Sequence, residues 1–199
     1  MRVYVATTNG GKLAEMERLF AGAFELATFE GYRAPLEGDV SYADNAALKA
    51  RTLRAQLARA GVHAAVLSDD SGLEVAALGG RPGVLTAYYG GAGLSWSERR
   101  RKLIAELDAA DAPDRRARFV CALHFIAPEG REIAVMASVD GAVAREERGD
   151  LGFSFDPIFA YGPAGRTFAE MSAEEKNAVS HRAVAAAGLV AAARRAAVL

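Results

Sequence analysis

The sequence predicts an α/β fold with a mixed β-sheet. Short apolar runs alternate with amphipathic helical patterns along the first half of the chain, and two long strand patterns then follow each other directly. Alternation is typical of parallel strands joined by helices, whereas consecutive strands are typical of hairpins. Functional groups of such folds gather at strand ends and in the loops beyond them.

Composition limits the function classes. Of the 199 residues, 51% are hydrophobic and 25% are charged, so we expect a folded chain with one domain over residues 1–199. The net charge of -1 offers no basic field for a nucleic-acid polymer. No run of about 18 apolar residues exists, so no membrane partner is expected. The apolar run at the N-terminus is too short for a signal peptide, and Cys121 is the one cysteine, so we expect a cytoplasmic protein with a buried, inert thiol.

The first half contains two strand–helix pairs. Val3 to Thr7 is an apolar, β-branched run that predicts a buried strand, and a helical pattern follows Gly10-Gly11. Asp44 to Ala60 is a second helical pattern, capped by Asp44 and ended by Gly61. Ala64 to Leu67 predicts another buried strand, which runs into a polar turn.

The second half contains a hairpin between two helices. Ser95-x-x-Glu98 is a capping box that opens a helix through Leu107, and a polar connection follows from Asp108 to Arg116. Arg118 to Ala127 and Glu132 to Val143 predict paired strands. Ser172-x-x-Glu175 opens a last helix, with a predicted break at Gly188.

The first polar turn is a candidate phosphate site. Thr7-Thr8-Asn9-Gly10-Gly11-Lys12 places a glycine turn before a helix, where backbone N–H groups face an anion and Lys12 adds positive charge. Ala6 and Leu13 stand where a P-loop needs glycine and serine or threonine. A plain connecting turn is the alternative.

The second polar turn, Asp69-Asp70-Ser71-Gly72, is a candidate metal site. Two acids beside a buried strand need a compensating positive charge, and Mg²⁺ takes carboxylate and phosphate oxygens. A solvated turn is the alternative. Glu37 is a further acid in the chain, and Lys49 on the second helix has the spacing of an ordinary surface residue.

A third cluster combines aromatic and cationic residues. Gly152-Phe153-Ser154-Phe155-Asp156 offers rings that can stack on a base. Lys176 and Ser180 are predicted to be i,i+4 neighbours on one helix, which His181 and Arg182 continue. The side chains of this helix can donate hydrogen bonds to a base edge.

The order of these motifs resembles the inosine/xanthosine triphosphate pyrophosphatase family from residue 3 to about 186. The matching blocks are Thr8-Asn9-x-x-Lys12, Glu37, Asp44-Asn45-Ala46-x-x-Lys49-Ala50, Asp69-Asp70-Ser71-Gly72-Leu73, Gly80-x-Pro82-Gly83, Gly152-Phe153-x-Phe155-Asp156-Pro157-Ile158-Phe159 and Ala169-Glu170-Met171-x-x-Glu174-Glu175-Lys176-Asn177-x-x-Ser180-His181-Arg182. The last block is the most specific.

The resemblance implies a two-lobed fold with a long mixed sheet, flanking helices and a cleft between the lobes. It implies Mg²⁺-dependent hydrolysis of ITP, dITP and XTP between the α- and β-phosphates by a homodimer. The product pair would be the monophosphate and pyrophosphate, which keeps deaminated purines out of nucleic acid.

The resemblance also implies residue roles. Asp70 would be the general base, and Glu37, Asp69 and Asp70 would hold Mg²⁺. The remaining residues would bind the substrate: Thr7, Thr8, Asn9, Gly10, Gly11, Lys12, Lys49 and Ser71 toward the phosphates, and Phe153, Ser154, Phe155, Asp156, Lys176, His181 and Arg182 toward the base or the nearby phosphate.

This sequence departs from the family pattern at a few positions. Ser154 and Phe155 replace the usual glycine and polar-tipped aromatic, Tyr88 replaces an arginine, and Asp44 replaces the commoner glutamate. Two other functions stay open from the sequence. One is a Maf-like pyrophosphatase for other nucleotides, and the other is a nucleotide-binding module without catalysis.

Overall fold

The structure is a computed structural model that describes residues 1–110 and 114–199. Residues 111–113, inside the predicted polar connection, lie outside the described residues. The described strands are β1 (Arg2–Val5), β2 (Glu25–Ala27), β3 (Ala65–Val75), β4 (Arg116–Ile126), β5 (Glu132–Val143), β6 (Phe159–Tyr161) and β7 (Arg166–Thr167). The described helices are α1 (Gly10–Leu19), α2 (Tyr42–Arg59), α3 (Trp96–Ala109), α4 (Ala173–Val179) and α5 (His181–Arg195).

The strands form a mixed sheet in the order β2-β1-β3-β4-β5-β6-β7. β1 is parallel to both β2 and β3, with α1 and α2 as the intervening connections. β6 is antiparallel to both β5 and β7. The prediction of an α/β fold with a mixed sheet is therefore confirmed, and β4 and β5 are neighbours as the hairpin pattern indicated.

Strand β3 is longer than the sequence predicts. The apolar pattern ends at Leu67, but the strand continues to Val75 and includes Asp69, Asp70 and Ser71. Acidic residues are poor strand formers, so local propensity indicates a turn at this point. Tertiary contacts override that preference, because both carboxylates are buried against basic side chains.

Helix starts follow the capping rules, with one correction. Both predicted capping boxes are present, at Ser95 with Glu98 and at Ser172 with Glu175. Helix α2, however, is capped by Ser41, whose side chain accepts a hydrogen bond from the Asp44 backbone N–H at 3.1 Å. Asp44 therefore lies in the first turn, where its charge favours the helix N-terminus.

The predicted C-terminal helix breaks at Ser180 and not at Gly188. Ser180 has an extended backbone (φ -70°, ψ 156°), which ends α4 before α5 begins at His181. Lys176 and Arg182 consequently lie on different helices. Gly188 is inside α5, where a Cβ atom would come within 3.1 Å of Val135. Gly188 thus lets α5 lie close to Val135.

The chain contains two compact units. Unit 1 comprises Met1–Asp70, Cys121–Ala137 and His181–Leu199, and unit 2 comprises Ser71–Val120 and Ser138–Ser180. The core of unit 1 includes Phe20, Phe24 and Phe125, and that of unit 2 includes Phe119, Phe159 and Phe168. Nowhere in residues 1–110 or 114–199 is a helix both long and apolar enough to cross a membrane.

Candidate functional site

The N-terminus of α1 has the geometry of an anion site. Asn9 caps the helix by accepting the Lys12 backbone N–H at 3.1 Å, and Thr7 accepts the Asn9 N–H at 3.1 Å. Thr8, Gly10 and Gly11 are exposed, and the first turn contains no acidic residue. Free backbone N–H groups and the helix dipole at this end favour a negatively charged ligand.

Asp69 is a fully buried carboxylate held by cations. Lys12 forms an ion pair with Oδ1, while the Arg182 Nε at 3.1 Å and the Cys121 thiol at 3.2 Å donate to Oδ2. Burial opposes the charge, but Arg182 and Lys12 outweigh it and hold the pKa of Asp69 well below its ordinary value. Both oxygens of Asp69 are thus engaged by side chains, and its role as a metal ligand stays a prediction.

Asp70 has a different environment although it is the next residue. Lys49 Nζ donates to Oδ1 at 2.8 Å and also to Glu37 at 3.1 Å, so one ammonium joins the two acids. Burial raises the pKa of Asp70 to about 6, against the lowering effect of Lys49. Burial lowers the pKa of Lys49, but the hydrogen bond and charge of Asp70 together with the charges of Asp69 and Glu37 outweigh it, so this pKa is raised. The pKa of the Asp70 carboxyl therefore lies close to neutral pH, as is required of a general base.

Glu37 and Asp70 could hold a metal ion such as Mg²⁺ whose other coordination positions are filled by substrate and water. No group of three or more His, Cys, Asp or Glu side chains among the described residues could hold a metal by itself. Mg²⁺ commonly uses only one or two carboxylates, with substrate phosphate oxygens and water filling the other positions. The Lys49 ammonium pairs with both Glu37 and Asp70 and supplies the positive charge that a metal ion would supply to these acids.

The third cluster is built around Asp156 in unit 2. Its Oδ2 accepts the Lys176 ammonium at 2.6 Å and the Phe153 backbone N–H at 2.8 Å. Lys176 Nζ lies 4.8 Å from the Phe153 ring centroid, within cation–π range. A Cβ atom on Gly152 would collide with the Asp156 carboxylate, which explains the glycine. Asp156 thus fixes the aromatic ring and the cation together.

The departures at Ser154 and Phe155 have structural explanations. Ser154 adopts φ +58°, the left-handed region that favours glycine, and its carbonyl accepts Arg100 at 2.8 Å. Phe155 is fully buried, with edge contacts to Trp96 and Tyr89 at centroid distances of 5.6 and 6.3 Å. The ring of Phe155 therefore packs in the core of unit 2, and a contact of this residue with substrate stays a prediction.

Comparisons with known proteins agree with this chemistry. The Ham1 family matches residues 3–192. The chain belongs to the Ham1 family. It is 43% identical to a dITP/XTP pyrophosphatase of Geobacillus kaustophilus, covering 92% of this chain and 89% of that protein. It is 42% identical to a dITP/XTP pyrophosphatase of Thermus thermophilus, covering 96% and 90% of the two chains.

Solved Ham1 structures have the same fold. A HAM1 protein from Coxiella burnetii is 33% identical, with a TM-score of 0.83 over 98% of this chain and 99% of that chain. A nucleoside-triphosphatase / dITP/XTP pyrophosphatase from Mycobacterium abscessus is 39% identical, with a TM-score of 0.71 over 95% and 98%. The Ham1 fold therefore extends over nearly the whole chain.

In this Ham1 chain, Arg182 does not face an open surface. Its side chain is 2% exposed and its guanidinium pairs with Glu15 and Asp69. A contact with a base would compete with these two buried carboxylates, Glu15 and Asp69. His181 is also buried, at the start of α5, whereas Ser71 is half-buried directly after Asp70. The substrate roles of His181, Arg182 and Ser71 stay predictions.

Two residues of the Ham1 site escape the sequence analysis. Glu15 is buried on α1 one turn after Lys12, and an acid beside the core residue Met16 was the available signal. Arg100 donates to Ser154 and pairs with Glu147 at 2.7 Å. The run of charged residues from 98 to 102 gives no indication of which arginine contacts Ser154.

Proposed function

We propose that this chain hydrolyses the deaminated purine nucleoside triphosphates ITP, dITP and XTP to the monophosphate and pyrophosphate, as one domain over residues 1–199. Relatives from Geobacillus and Thermus carry the name dITP/XTP pyrophosphatase. The observation that carries the proposal is Asp70, a buried carboxyl with its pKa raised to about 6 beside Glu37 and a lysine. Removal of these triphosphates prevents their incorporation into nucleic acid.

Asp70 acts as the general base. One water oxygen bonds to the α-phosphorus, the α–β anhydride bond breaks, and pyrophosphate leaves. The water proton passes to a carboxylate oxygen of Asp70, which must be ionised beforehand. A base with a pKa near 6 is largely ionised at neutral pH and still accepts a proton readily.

The phosphates are bound by the N-terminus of α1 and by lysines. The backbone N–H groups of Gly10 and Gly11 donate to the phosphate oxygens, with Asn9 and the hydroxyls of Thr7 and Thr8 beside them. Lys12, which pairs with Asp69, and Lys49, which pairs with Asp70, would contribute positive charge toward the phosphate oxygens. Ser71 is placed next to Asp70 in β3. Phosphoryl transfer needs this kind of positioning and charge more than covalent chemistry.

We propose Mg²⁺ as the metal, held by Glu37 and Asp70. When bound, it would supply positive charge to the phosphate oxygens. Lys49 would then exchange its bond with these acids for a bond with a phosphate, because the ammonium and the metal compete for the same oxygens.

Base recognition is assigned to Phe153, Asp156 and Lys176. The Phe153 ring offers a stacking surface, and Asp156 orients the Lys176 ammonium over it. A 6-oxo purine accepts a hydrogen bond where adenine donates one, so a cationic donor favours hypoxanthine and xanthine. Facing a donor with another donor costs about 1–3 kcal/mol.

Pyrophosphate release from ITP, XTP, GTP, ATP and dTTP tests the function, with Mg²⁺ and with EDTA. We expect fast, Mg²⁺-dependent release from ITP and XTP and slow release from ATP and GTP. Preference for dTTP would favour the Maf-like alternative. Binding of ITP without release from any triphosphate would favour the non-catalytic module.

Replacing Lys176 with methionine should change specificity more than turnover. Loss of the donor should raise KM for ITP about 10-fold, as expected from 1–3 kcal/mol, with little change in kcat. ATP hydrolysis should rise, because the clash between two donors is relieved. Steady-state kinetics on ITP and ATP measure this. Arg166→Ala is the control, because its pair with Glu175 is exposed in the same unit. Equal losses on both nucleotides would instead make Lys176 a phosphate contact.

Two further proposals rest on the resemblance of the whole chain to its family. One is a homodimer, which Leu85 and Tyr88 support because these large hydrophobic side chains are exposed. Light scattering that gives the mass of a single chain would contradict it. The other is a cytoplasmic location, which fits a buried thiol without a disulfide. Cell fractionation checks the location.

A further inference from the structure

Asn45 connects the two acids of the proposed metal site. It lies on α2, is 3% exposed, and makes three hydrogen bonds through its carboxamide. Its Oδ1 accepts the Gly38 N–H at 2.8 Å, and its Nδ2 donates to the Gly38 carbonyl at 2.9 Å and to Asp70 Oδ2 at 3.3 Å. One side chain therefore joins the backbone next to Glu37 with the carboxylate of Asp70.

Lys49 makes the parallel connection one helical turn later. It donates to Glu37 at 3.1 Å and to Asp70 Oδ1 at 2.8 Å, whereas Asn45 holds Oδ2. Residues four apart lie on the same helix face. Both oxygens of Asp70 are thus held by α2, and so is the segment that carries Glu37.

The contacts of Lys49 and Asn45 differ in whether they are compatible with a bound metal ion. Lys49 is itself a cation and competes with a metal for Glu37 and Asp70. Asn45 is neutral, so its bonds to Gly38 and Asp70 are compatible with a metal on the same carboxylates. Glu37 and Gly38 lie in neither a helix nor a strand, so no backbone ladder fixes their position.

We propose that Asn45 is a positioning residue that sets the separation and orientation of Glu37 and Asp70 for Mg²⁺; this rests on the proposed function. Mg²⁺ requires near-octahedral geometry and tolerates little displacement of its ligands. Groups that orient ligands commonly change metal affinity about 10–100-fold when removed.

Helix α2 supplies a matched control. The Gln56 side chain accepts the Arg33 N–H at 3.0 Å and donates to the Arg33 carbonyl at 2.8 Å. This is the same two-point contact with backbone that Asn45 makes with Gly38, but it is exposed and involves no carboxylate. Gln56→Ala therefore removes an equivalent anchor of the preceding segment and leaves the acids alone.

Mg²⁺ titration of the full chain saturated with the non-hydrolysable α,β-methylene analogue of ITP tests the proposal, because the analogue supplies the phosphate oxygens that complete the site. Calorimetry and the Mg²⁺-dependent rise of Tm measure the binding. We expect the Kd for Mg²⁺ to rise at least about 10-fold in Asn45→Ala and to stay within twofold in Gln56→Ala. Asn45→Gln keeps the amide but displaces it by one methylene, and we expect a rise of about 3-fold or more there. This variant serves if Asn45→Ala does not fold.

A second readout separates positioning from substrate binding. The Mg²⁺ concentration for half-maximal pyrophosphate release should rise by the same factor, with KM for ITP at saturating Mg²⁺ nearly unchanged. A Kd within twofold of the wild type in the Asn45 variants, or a wild type that binds no Mg²⁺, would overturn the proposal. Failure of the wild type to hydrolyse any triphosphate would overturn the proposed function instead, since the titration needs no turnover.

Discussion

Asp70→Asn is expected to lower kcat for pyrophosphate release from ITP by about 10³-fold, which lies within the range for loss of a general base. The substitution keeps the shape of the side chain but removes its capacity to accept the water proton. Stopped-time assays of pyrophosphate from ITP at saturating Mg²⁺ measure the loss. Asp140→Asn serves as a control, because Asp140 is an exposed acid on β5.

The same substitution should stabilise the fold in EDTA at pH 7.5. The pKa of Asp70 is raised to about 6, so the folded state binds a proton more readily than the unfolded chain. Protonated Asp70 contributes its full stabilisation of the folded state below about pH 3.8, the pKa in the unfolded chain. This contribution is lost as pH rises through about 6, the pKa in the folded state. The charged form is disfavoured by roughly 3 kcal/mol at higher pH.

Asparagine avoids this charge, but its N–H₂ group must face one of the donors Asn45 and Lys49, which offsets part of the gain. We therefore expect a Tm increase of about 2–6 °C at pH 7.5, shrinking toward zero at pH 5. Thermal unfolding at both pH values measures it. Retained turnover would refute the assigned base, and a pH-independent Tm difference would refute the raised pKa.

Arg182→Met is expected to lower the free energy of unfolding by about 3–5 kcal/mol, or Tm by about 10 °C. Its guanidinium is buried between Glu15 and Asp69, so the substitution leaves two buried carboxylates without their shared cation. Lys12 remains beside Asp69, which limits the damage on that side. Chemical and thermal unfolding at pH 7.5 measure the loss.

Exposed ion pairs provide the comparison for Arg182. Arg116 pairs with Asp114 at 2.8 Å, but its side chain is 82% exposed, so Arg116→Ala should leave Tm nearly unchanged. An Arg182→Met chain with wild-type stability and a raised KM for ITP would show that Arg182 mainly contacts the base. A large decrease in Tm would establish that Arg182 stabilises the fold by compensating the charge of Asp69 and Glu15.

Local signals account for what the sequence predicts correctly. The capping boxes at Ser95 and Ser172 depend on residues three positions apart, and the hairpin strands depend on continuous apolar runs. The types of residue in the site are also visible locally, as a glycine turn with Lys12 and as an acid pair on one segment. Each of these features is determined by neighbours in the chain.

The pairing of buried charges was decided only by the tertiary structure. Arg182 reaches Asp69 across 113 positions and Glu15 across 167. These distant partners allow Asp69 to stay ionised inside β3, where local propensity predicts a turn. By itself, the sequence therefore determined the fold class, the order of elements and the kinds of side chain in the site. Only the fold decided that Asp69 forms ion pairs with two cations while the pKa of Asp70 lies near neutral pH. Burial and charge compensation depend on which distant residues meet.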